Sequence, residues 1–225
     1  MSLSDPQVLS LLRGHFVCGW KNIEGEAYAG KSGDHMPSNP AVRTTNGAGP
    51  HNTQLFILAS DGTVLHCLPG YWDPRDLARE IGLASQLNAV WRNGALTREQ
   101  KDARFRELQL AHLATHPQDM VDRSVMQGFD KKFEQRRRGA TSDCILREGS
   151  RMPALRPSRP RQQDEFKTTD QILHERMAAR PFVKYADFDV ARFSDYGRPK
   201  YDKKMDECGG DEAPKAGMTG PRSGK

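Results

Sequence analysis

The first half of the chain alternates between short apolar runs and turn residues, a pattern that predicts a mixed α/β fold. Asp5-Pro6 predicts the start of a helix, because Asp can cap exposed amides and Pro fits the first helical position. The bulky apolar residues of His15–Ile23 then predict a strand, with Cys18 buried in it. Residues 24–49 show little periodicity, and we expect a long loop there.

The clearest pattern lies in the middle of the chain. Two apolar runs, Thr53–Ala59 and Val64–Leu68, flank a turn that contains Asp61-Gly62. Such a turn predicts a β-hairpin, because Gly accepts a positive φ without steric cost. Asp73-Pro74 then predicts a second helix start, and apolar residues recur at three- and four-residue spacing as far as Trp91.

The second half of the chain predicts two more helices and one irregular segment. Thr97 with Gln100 forms a capping-box pattern, and Thr168 with Gln171 repeats it. Residues 182–201 carry many aromatic side chains without a period of 2 or 3.6. Since such a segment cannot form its own core, we expect it to lie across another surface with its rings as anchors.

Charge is distributed unevenly along the 225 residues, which carry a net charge of +5 and are 36% hydrophobic. Residues 131–161 hold an excess of Lys and Arg, including Arg136, Arg137 and Arg138. These three residues are the candidate nucleic-acid contacts, since such a stretch can bind phosphate. A solvated linker is the simpler interpretation, and no known nucleic-acid motif accompanies the charge.

The remaining chemistry-bearing residues predict no cofactor and no metal. The four cysteines, Cys18, Cys67, Cys144 and Cys208, form neither a CxxC nor a paired metal spacing. His174-Glu175 resembles the start of a zinc-binding HExxH helix, but Ala178 occupies the second His position. We therefore expect His174-Glu175 to be a surface pair on a helix.

Two further expectations concern location. No apolar run approaches the length of a membrane helix, and no signal peptide is visible, so a membrane partner is not expected. A cytoplasmic location is the default, although a segment upstream of Met1 could carry a leader.

Taken in order, several of these residues resemble the later part of thioredoxin-like proteins. They are Asp5-Pro6, His15-Phe16-Val17, Gly49-Pro50, Leu55–Leu58, Asp61-Gly62 and Pro69–Pro74. In that family a helix leads into a strand, a loop carries a cis-proline, and a hairpin and a final helix complete the domain. The resemblance implies that Pro50 is the cis-proline and that Gly49, Pro50 and His51 contact an extended peptide.

The predicted fold class is α/β, a partial thioredoxin-like fold (helix, strand, loop, hairpin, helix) followed by a helical and largely irregular C-terminal region. The predicted division is 1–92 as the thioredoxin-like domain lacking its first strand, 93–135 as a helical extension, 136–167 as a basic linker, 168–207 as a helix with an aromatic extended segment, and 208–225 as a disordered tail.

The resemblance also implies where the redox motif of the family would lie. It would precede Met1, because this chain begins inside the helix that carries the motif. Cys18 falls in the following strand, and Lys21 stands where a resolving cysteine would be needed for thiol exchange. We therefore expect a binding or scaffold module for a protein or extended peptide, with no thiol redox activity.

Two alternatives stay open. One is a thiol-disulfide oxidoreductase whose CxxC half is missing, or one that acts through Cys18. The other is a nucleic-acid-associated protein that uses residues 131–161, which ranks last.

Overall fold

Helices and one antiparallel hairpin make up most of the ordered structure in the computed structural model. The structure describes residues 2–32, 44–47, 51–137, 145–147 and 166–201. The helices are α1 (Pro6–His15), α2 (Pro74–Arg92), α3 (Arg98–Ala114), α4 (Gln118–Arg123), α5 (Gly128–Arg136), α6 (Thr169–Ala178) and α7 (Val190–Phe193). The strands are β1 (Lys31–Ser32), β2 (Gln54–Leu58), β3 (Val64–Pro69) and β4 (Lys200–Tyr201). The predicted mixture of helix and sheet is confirmed at this level.

The hairpin of β2 and β3 forms where the sequence predicts it. The strands are antiparallel, with Phe56 opposite Cys67, and Gly62 in the turn has a φ of 80°. Every residue of β3 is buried, whereas most of β2 is half-buried. β3 is therefore the strand that lies inside the fold, in contact with α2 and α6.

Local capping residues define the starts of the three predicted helices that precede residue 115. The side chain of Asp5 accepts the amides of Gln7 and Val8, and the side chain of Asp73 accepts the amide of Arg75. Thr97 begins α3 with a complete capping box. The helix predicted from Thr168 is also present, but without a side-chain cap.

The predicted strand at His15–Ile23 is wrong. Residues 16–23 follow α1 without regular structure, and Val17 and Trp20 are almost fully exposed. Cys18 is exposed as well, not buried in a strand. The physical reason is that bulky apolar residues favour a strand only where a neighbouring strand pairs with them, and none does so among the described residues.

The aromatic segment packs across the hairpin, as predicted. Phe56 contacts Tyr185 and Phe188 edge to face, with ring centroids 5.0 and 5.6 Å apart. The Val64 amide donates to the Val183 carbonyl at 2.8 Å, so this segment adds one bridge beside β3. Further along, β4 pairs in parallel with β1.

One hydrophobic core joins the hairpin to helices from both halves of the chain. It includes Val64 and Leu68 of β3, Leu87 of α2, Phe105 of α3 and Leu173 of α6. None of the helices in the described residues is long and apolar enough to cross a membrane. The packing brings one face each of α2, α3 and α6 together beside β3, and polar residues meet there.

Candidate metal centre

Four of the seven histidines of the chain gather around one buried carboxylate. The chain's histidines are sparse, yet His66, His112, His116 and His174 all lie within hydrogen-bonding or ion-pairing distance of Glu80. The side chains of Glu80, His66 and His174 have no exposed area. The imidazoles of His112, His116 and His174 and the Glu80 carboxylate have ligand atoms within 4.8 Å of one another. We call these four residues the Glu80 cluster.

Helix geometry places the members of the Glu80 cluster. His112 and His116 are four residues apart on α3, so their side chains share one face of the helix. Glu80 comes from α2 and His174 from α6, and α3 packs against both helices. The cluster therefore forms only when three helices from distant parts of the sequence are packed together.

The distances from the Glu80 oxygen match those between ligands of a tetrahedral metal ion. Glu80 Oε1 lies 3.3 Å from His116 Nε2, 3.3 Å from His174 Nε2 and 3.5 Å from His112 Nε2. A tetrahedral ion with bonds of about 2.0–2.1 Å separates its ligand atoms by about 3.3–3.4 Å. Neighbouring ligands of an octahedral ion with similar bonds would be about 3.0 Å apart.

The three imidazole rings of the Glu80 cluster form a nearly equilateral triangle. Their centroids are 5.0 Å apart for His112 and His116, 5.1 Å for His116 and His174, and 5.3 Å for His112 and His174. Three rings bound to a tetrahedral ion through Nε2 would have centroids about 5.2 Å apart. The spacing of the ring centroids agrees with this geometry, whereas the four ligand atoms lie within 4.8 Å of one another, a bound wider than the tetrahedral separation.

Hydrogen bonds at the far side of two rings direct their Nε2 atoms inward. The Nδ1 of His116 lies 2.8 Å from Asp170 Oδ2, and the Nδ1 of His174 lies 2.7 Å from Gln109 Oε1. Since both partners accept, each Nδ1 donates, and a neutral ring then presents a lone pair from Nε2. Such carboxylate and amide contacts are typical of metal-bound histidines.

Two buried nitrogen atoms of the cluster have no hydrogen-bond partner among the residues that the structure describes. They are the Nε2 atoms of His112 and His116, which lie near Glu80 Oε1 but outside hydrogen-bond geometry. A buried polar atom without a partner costs about 1–3 kcal/mol. A cation between the nitrogens and the oxygen would give all of them a partner.

The charges of the site favour a cation. Among the described residues, the ion pairs of Glu80 and Asp170 run only to imidazoles, with no Lys or Arg beside them. Burial opposes ionisation of Glu80, but the surrounding imidazoles hold its pKa well below the usual value. Burial likewise opposes the charge on His116, but Asp170 and Glu80 raise its pKa to about 9, so a metal ion bound at Nε2 would replace a proton held there. Burial lowers the pKa of His174.

The sequence-predicted site residues that the structure describes are not members of the Glu80 cluster. Cys18 follows the C-terminal end of α1, and Cys67 is buried in β3, where burial raises the pKa of its thiol. His51 is buried against Tyr196, with ring centroids 4.7 Å apart. Gly49 and Pro50, named with His51 as peptide contacts, lie outside the described residues.

The predicted basic contacts are only partly described. Arg136 is exposed at the end of α5, and Arg138 lies outside the described residues. Arg137 pairs with Asp195 at 2.6 Å and with Glu134 at 3.3 Å. The guanidinium of Arg137 is therefore engaged within the chain.

The prediction that His174-Glu175 is a surface pair is wrong for His174, which has no exposed area. The single signal for the centre in the sequence is the pair His112 and His116 at four-residue spacing on a predicted helix. Gln109 lies one turn before His112 on the same face of α3. Polar residues therefore occupy the helix face on which Phe105 packs into the core. Comparison of the chain with family models, curated proteins and solved structures found no match.

Proposed function

We propose that this chain is a metal-binding protein whose Glu80 cluster holds one zinc-class divalent ion. The observation that carries the proposal is the convergence of three imidazole Nε2 atoms on Glu80 Oε1 at 3.3–3.5 Å. Zinc takes nitrogen and carboxylate ligands in a tetrahedron whose oxygen–nitrogen edges have about this length. The ion would also balance the buried carboxylates of Glu80 and Asp170.

The role that this site supports best is structural. Four protein ligands close a tetrahedral centre, whereas catalytic zinc sites keep one position for water or substrate. The ligands come from α2, α3 and α6, so the ion would join the helix after the hairpin to two helices further along the chain. Metal-binding energy of this kind contributes directly to folding.

The experiment is a measurement of metal content and affinity on untagged protein. We expect about one zinc per chain by elemental analysis, with affinity measured against a chromophoric chelator. His116→Ala should lower zinc affinity by more than a hundredfold, because it removes a ligand. His51→Ala is the matched control, since His51 is also buried but lies outside the cluster.

Two results would contradict the proposal. One is a wild-type protein that binds none of zinc, cobalt or nickel at micromolar concentration. The other is a His116→Ala variant that binds zinc as tightly as the His51→Ala control does.

The thioredoxin-like fold and a binding or scaffold role remain a second proposal, compatible with a structural ion. Its support is the order of α1, the β2–β3 hairpin and α2, with α1 packed against α2. The position of Cys18 supports a role without thiol exchange, because a reactive thiolate is usually found at the N-terminal end of a helix. An insulin-reduction assay of the wild type and Cys18→Ser tests this proposal. Activity that the substitution abolishes would overturn it.

A further inference from the structure

A fifth polar group, His66, touches the Glu80 cluster without belonging to its ligands. His66 lies in the middle of β3, and its Nε2 is 2.8 Å from Glu80 Oε2. The contacts of the other three imidazoles with Glu80 all run to its second oxygen, Oε1. The His66 ring also stacks on His174, with centroids 5.5 Å apart and planes 25° apart.

The two oxygens of Glu80 are therefore divided between two tasks. Oε1 faces the three Nε2 atoms, and Oε2 accepts the hydrogen bond from His66. A carboxylate can bind a metal ion through one oxygen or through both. A charge-assisted hydrogen bond of this length holds Oε2 in place and leaves one oxygen for the ion.

Burial of the polar His66 side chain in β3 costs free energy, and a residue without a function at this position would not need to incur that cost. Every residue of β3 is buried, and the His66 Nδ1 has no hydrogen-bond partner in the described part of the structure. An apolar residue between Leu65 and Cys67 would avoid that cost. The contact with Glu80 is what an imidazole supplies at this position and an apolar residue cannot.

We propose that His66 is a positioning residue that restricts Glu80 to one-oxygen binding and so keeps the metal centre four-coordinate. This inference rests on the metal centre proposed above. Without the hydrogen bond, Glu80 could rotate and bind through both oxygens, which would make the centre five-coordinate. His66 would thus favour zinc and cobalt over manganese, which prefers more oxygen ligands.

Cobalt(II) reports the coordination number directly, because four-coordinate cobalt absorbs visible light much more strongly than five- or six-coordinate cobalt. The test uses the full chain loaded with cobalt alone and compares His66→Phe with His66→Gln. His66→Phe keeps an aromatic ring against His174 but removes the donor, whereas the Gln side chain retains an N–H donor. We expect the visible absorption per bound cobalt to fall at least about threefold in His66→Phe and to stay near wild type in His66→Gln.

Metal selectivity gives a second readout. We expect the preference for zinc over manganese to narrow by about tenfold in His66→Phe but not in His66→Gln. A purely structural role of His66 would lower stability without changing either readout.

The outcomes separate the two proposals. Wild-type protein that binds one cobalt with a weak five- or six-coordinate spectrum overturns the inference about His66 and leaves the metal centre standing. Wild-type protein that binds no cobalt overturns both. An unchanged spectrum in His66→Phe, or loss of all cobalt from both variants, overturns the positioning role. If His66→Phe does not fold, a weak five- or six-coordinate cobalt spectrum in the wild type or in His66→Gln still overturns the positioning role of His66.

Discussion

Two buried carboxylates one turn apart on α2 have opposite surroundings. Asp76 accepts two hydrogen bonds from the Arg123 guanidinium, at 2.7 and 2.8 Å, and one from Asn46 at 2.7 Å. Ser124 and Thr169 extend this arrangement, which we call the Asp76 network. Within the described part of the chain, the ion pairs of Glu80 run only to imidazoles.

The difference lies in which buried atoms find partners inside the protein. In the Asp76 network no buried side-chain nitrogen or oxygen is without a hydrogen bond among the described residues. Of the nine buried side-chain atoms without a partner in the described structure, four belong to the Glu80 cluster or to residues that contact it: His66 Nδ1, Gln109 Nε2, His112 Nε2 and His116 Nε2. The Nε2 atoms of His112 and His116 are the two beside Glu80. Buried polar groups without partners are rare, and a concentration of them indicates a ligand that the protein itself does not supply.

Removing the metal should have the largest effect on the free energy of unfolding. This effect should come from the Glu80 cluster and not from the Asp76 network. At a zinc concentration about a thousandfold above its Kd, we expect the free energy of unfolding to rise by about 4 kcal/mol over the metal-free protein. Urea titrations with zinc and with a chelator measure the increment. His116→Ala should abolish it. Superimposable titrations of the wild type would show that the Glu80 cluster needs no ion.

Breaking the Asp76 network should cost slightly less and should be independent of metal. Arg123→Met leaves Asp76 buried without its cation, which we expect to lower the free energy of unfolding by about 3 kcal/mol. Asp119→Asn is the control, because it weakens exposed ion pairs with Arg123 and Arg75, leaves Asp76 paired, and should change stability by less than about 1 kcal/mol. Urea titrations with zinc and with a chelator measure both. An Arg123→Met protein that has lost its zinc increment would mean that the two networks act as one.

Asp170→Asn and Asp76→Asn are a matched pair of the same substitution in the two settings. Asp170 accepts from His116 Nδ1 at 2.8 Å, so Asp170→Asn should weaken zinc binding by about tenfold to a hundredfold. Asp76→Asn should leave zinc affinity unchanged, although it disturbs a neighbouring turn of α2. Chelator competition gives both dissociation constants. Equal losses in the two variants would point to general destabilisation and not to a contact behind a metal ligand.

Local sequence patterns predicted the elements whose causes are local. Asp5-Pro6, Asp73-Pro74 and Thr97 start helices through their own side chains, and Asp61-Gly62 closes the hairpin through its own turn geometry. The strand expected at His15–Ile23 failed because pairing depends on a neighbour that the local pattern cannot reveal.

The site could not be predicted from the sequence for the same reason. Only His112 and His116 are close together in the chain, whereas Glu80 and His174 are 94 positions apart. Their convergence depends on the packing of α2, α3 and α6. His174, considered alone, was expected on the surface, because one histidine carries no information about which helix covers it.

Glu134 offers the test with the smallest expected effect, because its environment is intermediate between those of Asp76 and Glu80. Its Oε1 accepts from the Gly197 amide at 2.9 Å and pairs with Arg137, but its Oε2 has no partner in the described structure. Burial raises the pKa of Glu134, so the folded state binds its proton more tightly than the unfolded state does. The wild type therefore loses stability as the pH rises from the ordinary value of 4.5 through the raised pKa.

Glu134→Gln removes this titration. The free energy of unfolding of the variant minus that of the wild type should thus increase between about pH 4 and pH 7, by roughly 1 kcal/mol or less. Urea titrations across this pH range measure the difference. A difference that is flat or falls with pH would mean that the contacts of Oε1 fully compensate the cost of burying the charged Glu134 carboxylate. Glu134 would then be a satisfied buried carboxylate like Asp76. A rise would show that one unpartnered oxygen, without converging imidazoles, costs stability but does not make a metal site.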